Sequence, residues 1–129
     1  MSSIYSLNFL LAEDNILNQR VASVVLKKMG VQFDIASTGK EVVDLVRKKN
    51  YDIILMDIHM PIMDGLEATR QIREFEKISK ISLPNFIVAL SATEVMENRE
   101  VCIQAGMDEF IEKPIKETVL RELISRIFE

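Results

Sequence analysis

Glu13, Asp14, Asp57, Ser91 and Lys113 are the side chains whose types and surroundings could do chemistry together. Each follows a short apolar run: Glu13-Asp14 after Leu7–Ala12, Asp57 after Ile53–Met56, Ser91 after Phe86–Leu90, and Lys113-Pro114 after Phe110-Ile111. Carboxylates meeting in one crevice repel each other unless one takes a proton or a cation binds. An all-oxygen donor set, with His59 the single histidine and Cys102 the single cysteine, favours a hard ion such as Mg2+. Mg2+ keeps several waters and takes a phosphate oxygen readily, so the chemistry suggested is phosphoryl transfer. Lys113 offers a compact positive charge to phosphoryl oxygens, and the Ser91 hydroxyl can donate to the same group. An aspartate can itself be the nucleophile, forming an acyl phosphate. Alone, each residue has an ordinary structural explanation: Asp57 starts a turn, Glu13-Asp14 caps a helix, Lys113 precedes a proline. Their joint placement at successive strand ends carries the reading.

The elements that must position them follow from pattern. Ile53 to Met56 is unbroken apolar, as in a strand buried on both faces of a parallel sheet, and turn residues Met60-Pro61 and Asp64-Gly65 follow it. Leu7–Ala12, Val31–Ala36, Phe86–Leu90 and Phe110-Ile111 read as four further strands. Between them, Leu17, Val21, Val24, Val25 and Met29 fall near helical spacing, with Asp14 or Asn15 as cap and Gly30 at the C′ position. Thr38-x-x-Glu41 opens a second helix, expected to run through Lys49 and close on a left-handed Asn50. Asp64-Gly65 opens a third helix, with Leu66, Ile72 and Phe75 inward, and Glu76 to Asn85 reads as a helix end and a longer loop. Thr93 is placed as the cap of a fourth helix ending at Ala105-Gly106, and Val119, Leu120, Leu123, Ile124, Ile127 and Phe128 stripe the fifth. Five strands alternating with five helices predict a doubly wound α/β fold, a flavodoxin-like (βα)5 parallel sheet. Strand order 2-1-3-4-5 would set the ends of strands one and three side by side, bringing Glu13, Asp14 and Asp57 into one crevice.

At 129 residues the chain reads as one domain, residues 1–129, of ordinary globular composition: 48 % hydrophobic and 28 % charged. A net charge of −4 speaks against direct nucleic-acid binding, which needs a basic face. Cys102, without a second cysteine to pair with, reads as a small buried hydrophobe in a reducing compartment. No apolar run is long enough to enter and cross a membrane, and no signal-peptide pattern is present, so the expected location is cytoplasmic.

The set Glu13-Asp14, Asp57-x-x-Met60-Pro61-x-Met63-Asp64-Gly65, Leu90-Ser91-Ala92, Ala105-Gly106-Met107-Asp108-Glu109-Phe110 and Lys113-Pro114 resembles a receiver domain, the phosphoacceptor module of two-component response regulators. The resemblance runs from Leu7 to about Phe128, and Glu13-Asp14-Asn15-Ile16-Leu17-Asn18-Gln19 is similar to the opening of receivers in hybrid sensor histidine kinases. It implies that Asp57 accepts a phosphoryl group from a phosphohistidine on a sensor histidine kinase or a histidine phosphotransfer protein. It also implies that Asp14, Asp57 and the His59 backbone carbonyl ligate Mg2+, with Glu13 in the outer shell through a water. Lys113 would pair with Asp57 and then the phosphoryl oxygens, while Ser91 and Phe110 would switch the face made by helix four, strand five and helix five. His59 and Thr93 would flank the path of an attacking water, giving slow autodephosphorylation without an enzyme's turnover. Two positions depart from the common pattern: Glu13 is a methylene longer than aspartate, and Phe110 lacks a tyrosine hydroxyl.

Other readings of the same residues are weaker. A Mg2+-dependent aspartyl phosphatase of the haloacid-dehalogenase type needs an aspartate two residues after its nucleophile, where this chain has His59. A flavodoxin-like cofactor binder would need a phosphate-cradling first turn instead of Glu13-Asp14-Asn15. A degenerate receiver serving only as an interaction module would lack a competent residue somewhere, and none is lacking.

Overall fold

The computed structural model describes residues 6–91 and 96–128. Strands and helices alternate through β1 (Asn8–Ala12), α1 (Ile16–Met29), β2 (Gln32–Ala36), α2 (Gly39–Lys48), β3 (Ile53–Asp57), α3 (Gly65–Ile78), β4 (Phe86–Ser91), α4 (Met96–Ala105), β5 (Glu109–Glu112) and α5 (Glu117–Phe128). The sheet is parallel throughout, in the expected order β2-β1-β3-β4-β5. Ala92 and Thr93, including the expected α4 cap, lie outside the described residues.

Side chains alternate across the strands, so one chain of residues feeds two cores. Leu10, Ala12, Ile54, Met56, Ile87 and Ala89 point to the layer that also holds Val42, Val43, Ala68, Ile72 and Cys102. Phe9, Leu11, Ile53, Leu55, Val88 and Leu90 point to the other, with Ala22, Leu26, Met29, Leu120, Leu123 and Ile124. Burial on both faces is why β3 reads as an unbroken apolar run. Cys102 is buried as expected, and burial pushes its thiol pKa up.

Helix ends follow the local chemistry. Asn15 caps α1, its Oδ1 accepting from the Asn18 N–H at 2.9 Å, and Gly30 closes it at φ 77. Thr38 caps α2 through the Glu41 N–H at 3.1 Å, and Asp64 caps α3 through the Glu67 N–H at 2.8 Å. The end of α2 differs from the sequence expectation: the helix stops at Lys48 and Lys49 is extended, with no left-handed Asn50. The chain must run straight here because Tyr51 is buried and its hydroxyl donates to Asp34 Oδ2 at 2.7 Å, alongside Lys49 Nζ at 2.9 Å. The Lys49 hydrogen bond, then that of Tyr51, holds the Asp34 carboxyl below its usual range.

At the opposite end of the strands from the carboxylates, Arg73 ties three elements together. Its Nε donates to the Gly106 carbonyl at 2.9 Å, Nη1 to Glu76 and to the Asn85 carbonyl at 2.8 Å each, and Nη2 to Asp108 at 2.7 Å. Asp108 Oδ2 also accepts from the Ile87 N–H at 2.8 Å, so α3, the end of α4 and the start of β4 share one charged clamp.

The second correction concerns α1. Its residues form two apolar stripes about 140° apart at 3.6 residues per turn. Leu17 (68 % exposed), Val21 and Val24 (65 % exposed) face solvent, whereas Ala22, Leu26 and Met29 meet the sheet. Both stripes have i, i+4, i+7 spacing, so periodicity alone could not choose between them; the stripe with Ala22 is the one buried in the core beneath the sheet. Leu26→Ala should therefore lose about 2–5 kcal/mol in urea unfolding, and Leu17→Ala less than about 0.5 kcal/mol. A large loss for Leu17→Ala would reverse this assignment of faces.

Candidate functional site

Sheet register builds the site. Ala12 pairs with Met56, so the next residues, Glu13 and Asp57, leave adjacent strands side by side. Ser91 pairs with Glu112, one residue before Lys113, and the Lys113 N–H donates to the Ser91 carbonyl at 2.6 Å. Lys113 then reaches back across the end of β4. Its Nζ lies 2.8 Å from Glu13 Oε1 and 3.1 Å from Asp57 Oδ2. Burial alone disfavours the ammonium, but the hydrogen bonds to Glu13 and then Asp57 outweigh it and hold the Lys113 pKa above its ordinary value.

The carboxylates of Glu13, Asp14 and Asp57 each bring one oxygen within 4.8 Å of the others. Glu13 and Asp57 are buried, Asp14 exposed. Glu13 is already committed on both oxygens, Oε1 to Lys113 and Oε2 to the Asn15 N–H at 3.1 Å. Asp57 Oδ1 accepts from the His59 N–H at 3.3 Å. One lysine against three carboxylates leaves local negative charge, and all-oxygen donors at this spacing suit a small hard cation.

The turn after Asp57 is braced by backbone contacts. The Gly65 N–H donates to the Ile58 carbonyl at 2.8 Å, and a Cβ at Gly65 would overlap the Asp57 carbonyl oxygen. The Gly39 N–H donates to the Met63 carbonyl at 2.9 Å, where a Cβ would overlap that oxygen. Gln19 Nε2 donates to the Glu13 carbonyl and, at 3.2 Å, to Ser37 Oγ, steadying the acidic pair. Gln19 closes the Glu13-to-Gln19 motif without a role assigned from sequence, and Gly39 belongs to no site motif; their contacts reveal these roles.

All the expected site residues within the described range converge on this end of the sheet except Phe110. Its place in β5, paired with Ala89, sets it further back along the sheet. There it is half-buried and packs against the helix α2–α4 layer. It lines an open groove of about 360 Å³ with Glu112, Lys113, Pro114, Lys116 and Val119, and a second, small open pocket of about 20 Å³ with Arg99, Cys102, Ile103 and Met107.

Residues 9–125 match the family model described as the response regulator receiver domain. The chain belongs to the receiver domain family. It is 42 % identical over 123 residues to hybrid signal transduction histidine kinase K of Dictyostelium discoideum, a match covering 93 % of this chain and 10 % of the kinase. The receiver of the Saccharomyces cerevisiae response regulator Ssk1, crystallised with the histidine phosphotransfer protein Ypd1, is 28 % identical with a TM-score of 0.88, over 96 % of this chain and 90 % of that one. The receiver of a Pseudomonas aeruginosa sensor histidine kinase, with magnesium coordinated in its active site cleft, is 36 % identical with a TM-score of 0.81, over 94 % and 96 %. This receiver is thus a phosphoacceptor module of two-component and phosphorelay signalling, a signalling domain like those of hybrid kinases.

The charge balance of the receiver's crevice yields an expectation of opposite signs. Lys113→Met strands two buried carboxylates and should destabilise by about 3 kcal/mol. Asp14→Asn relieves repulsion and, in EDTA, should stabilise by up to about 1 kcal/mol. Thermal melts of the two variants test this; a loss of stability in Asp14→Asn would mean that its charge is not in excess.

Proposed function

We propose that residues 1–129 form a single receiver domain in which Asp57 takes a phosphoryl group from a phosphohistidine. The donor would be a sensor histidine kinase or a histidine phosphotransfer protein. The observation that carries the reading is the Lys113 ammonium bound to both Glu13 and Asp57 at the end of the sheet. Asp57 Oδ attacks phosphorus as the N–P bond breaks; the bond pair returns to the imidazole, which takes up a proton. The Lys113 ammonium, released from Asp57 by that step, follows the charge onto the phosphoryl oxygens, and the Ser91 hydroxyl donates to another.

Asp14, Asp57 and the His59 carbonyl would hold Mg2+ directly, and Glu13, both of whose oxygens are already partnered, would act only through a water. Bound there, the ion supplies charge neutralisation between Asp57 and the incoming phosphoryl group. The exposed stripe Leu17, Val21 and Val24, starting beside the acidic pair, supports a docking platform for the donor protein. Phe110, half-buried where it lines both an open groove and a small pocket, would change rotamer once Ser91 is drawn to the phosphoryl group, altering the α4-β5-α5 face by population shift. His59, exposed beside Asp57, would slow the attack of water. Loss of the phosphoryl group would then be slow hydrolysis, not enzymatic turnover of a second substrate. We place the domain in the cytoplasm, where kinase donors are phosphorylated; among the described residues no helix is long and apolar enough to cross a membrane.

Incubation with phosphoramidate and Mg2+ followed by intact mass and peptide mapping should add one phosphoryl group on Asp57, and none in Asp57→Asn. Asp14→Asn should lower Mg2+ affinity and slow phosphorylation, by about tenfold or more, and Glu13→Gln by less. Labelling of Asp57→Asn at the wild-type rate would overturn the assignment of the acceptor.

A further inference from the structure

Ile62 stands at the tip of the turn that follows Asp57, 83 % exposed and at φ 70. Left-handed backbone is costly for any L residue, and most for a β-branched one. Glycine or asparagine would adopt it with far less strain. The turn cannot relax, because it is held on both sides. The Met63 N–H donates to the Pro61 carbonyl at 2.7 Å, Gly39 grips the Met63 carbonyl, and Gly65 is bound to Ile58. Ile62 thus combines a strained backbone with an apolar side chain left almost wholly in water. Strain of this kind persists where surrounding structure over-determines it, and it clusters at sites of function.

Its position suggests which function. Any protein delivering a phosphoryl group must bring its imidazole to bonding distance of an Asp57 oxygen, so the surface around that histidine passes over the crevice rim. Ile16 (66 % exposed) and Leu17 begin the opposite rim immediately after Glu13-Asp14-Asn15. An acidic floor with apolar side chains on both banks suits a phosphohistidine whose neighbours are apolar, and it disfavours an acidic approaching surface. The similar receiver crystallised with a histidine phosphotransfer protein shows that such partners dock on this fold.

We infer that Ile62 is a partner-docking residue, held in a strained conformation so that its side chain projects into the apolar surface around the donor's phosphohistidine. The inference rests on the phosphoacceptor reading above and extends it to a residue with no part in the chemistry. It separates two routes to the same product. A small donor needs only the crevice, whereas a protein donor also needs the rim.

The test compares wild type, Ile62→Asn and Ile62→Met with two donors, phosphoramidate and phosphorylated Ypd1. Ile62→Asn should melt about 2–5 °C higher, through relief of strain. It should take phosphate from phosphoramidate at the wild-type rate, yet from subsaturating phospho-Ypd1 about tenfold more slowly, with the difference in KM. Ile62→Met, apolar but unbranched, should restore transfer from phospho-Ypd1. Equal transfer from phospho-Ypd1 to Ile62→Asn and wild type would overturn the inference, as would a wild type labelled by phosphoramidate but not by phospho-Ypd1. Failure of phosphoramidate to label wild-type Asp57 would instead strike the underlying reading.

Discussion

The contact on which this crevice, and the function proposed for it, depends is the Lys113 ammonium set between Glu13 and Asp57. It is the only charge among the side chains described at the crevice that offsets three carboxylates, and it joins β5 to β1 and β3 across the end of β4. The joint is made of ions instead of apolar side chains, so it can be broken and remade by a change of charge at Asp57. A hydrophobic plug at the same place would hold the sheet ends as well but would not sense phosphorylation.

Around that ionic joint the backbone is held with little freedom. Gly65 against the Asp57 carbonyl and Gly39 against Met63 leave no room for a methyl group, so the turn carrying His59 and Ile62 has one position. Gln19 steadies the acidic pair from α1. At the far end, the Arg73 clamp anchors the close of α4 to α3 and β4. Under the proposed switch, any rearrangement of α4 would be kept from this anchored end.

The surface divides by chemistry in a way that matches this division of labour. The crevice is acidic, its rims carry Ile16, Leu17 and Ile62 in the open, and the groove beside Phe110 is lined in part by Lys113, the crevice lysine. Under the proposed reading, Lys113 would link reception of the phosphoryl group to display of the result, because it faces the crevice and lines the groove.

Much of this was legible in residue order. Strand ends could be read because apolar runs buried on both faces stop abruptly at charged or hydroxyl residues, and in a parallel sheet those stops fall at one end. Asp57, Glu13, Asp14, Ser91 and Lys113 were found that way, and the caps Asn15, Thr38 and Asp64 by their side-chain chemistry. Tertiary packing decided the rest. Periodicity offered α1 two equivalent apolar stripes, and packing against the sheet and α5 selected the one with Ala22. The extended Lys49 follows from Asp34 and Tyr51, which come from β2 and the segment entering β3. The roles of Gly39, Gln19 and Arg73 are contacts with residues distant in sequence, and a lone side chain's type carries no record of what it will touch. Local spacing determines which elements form and where they end; which face turns inward is settled only when the elements compete for the same sheet.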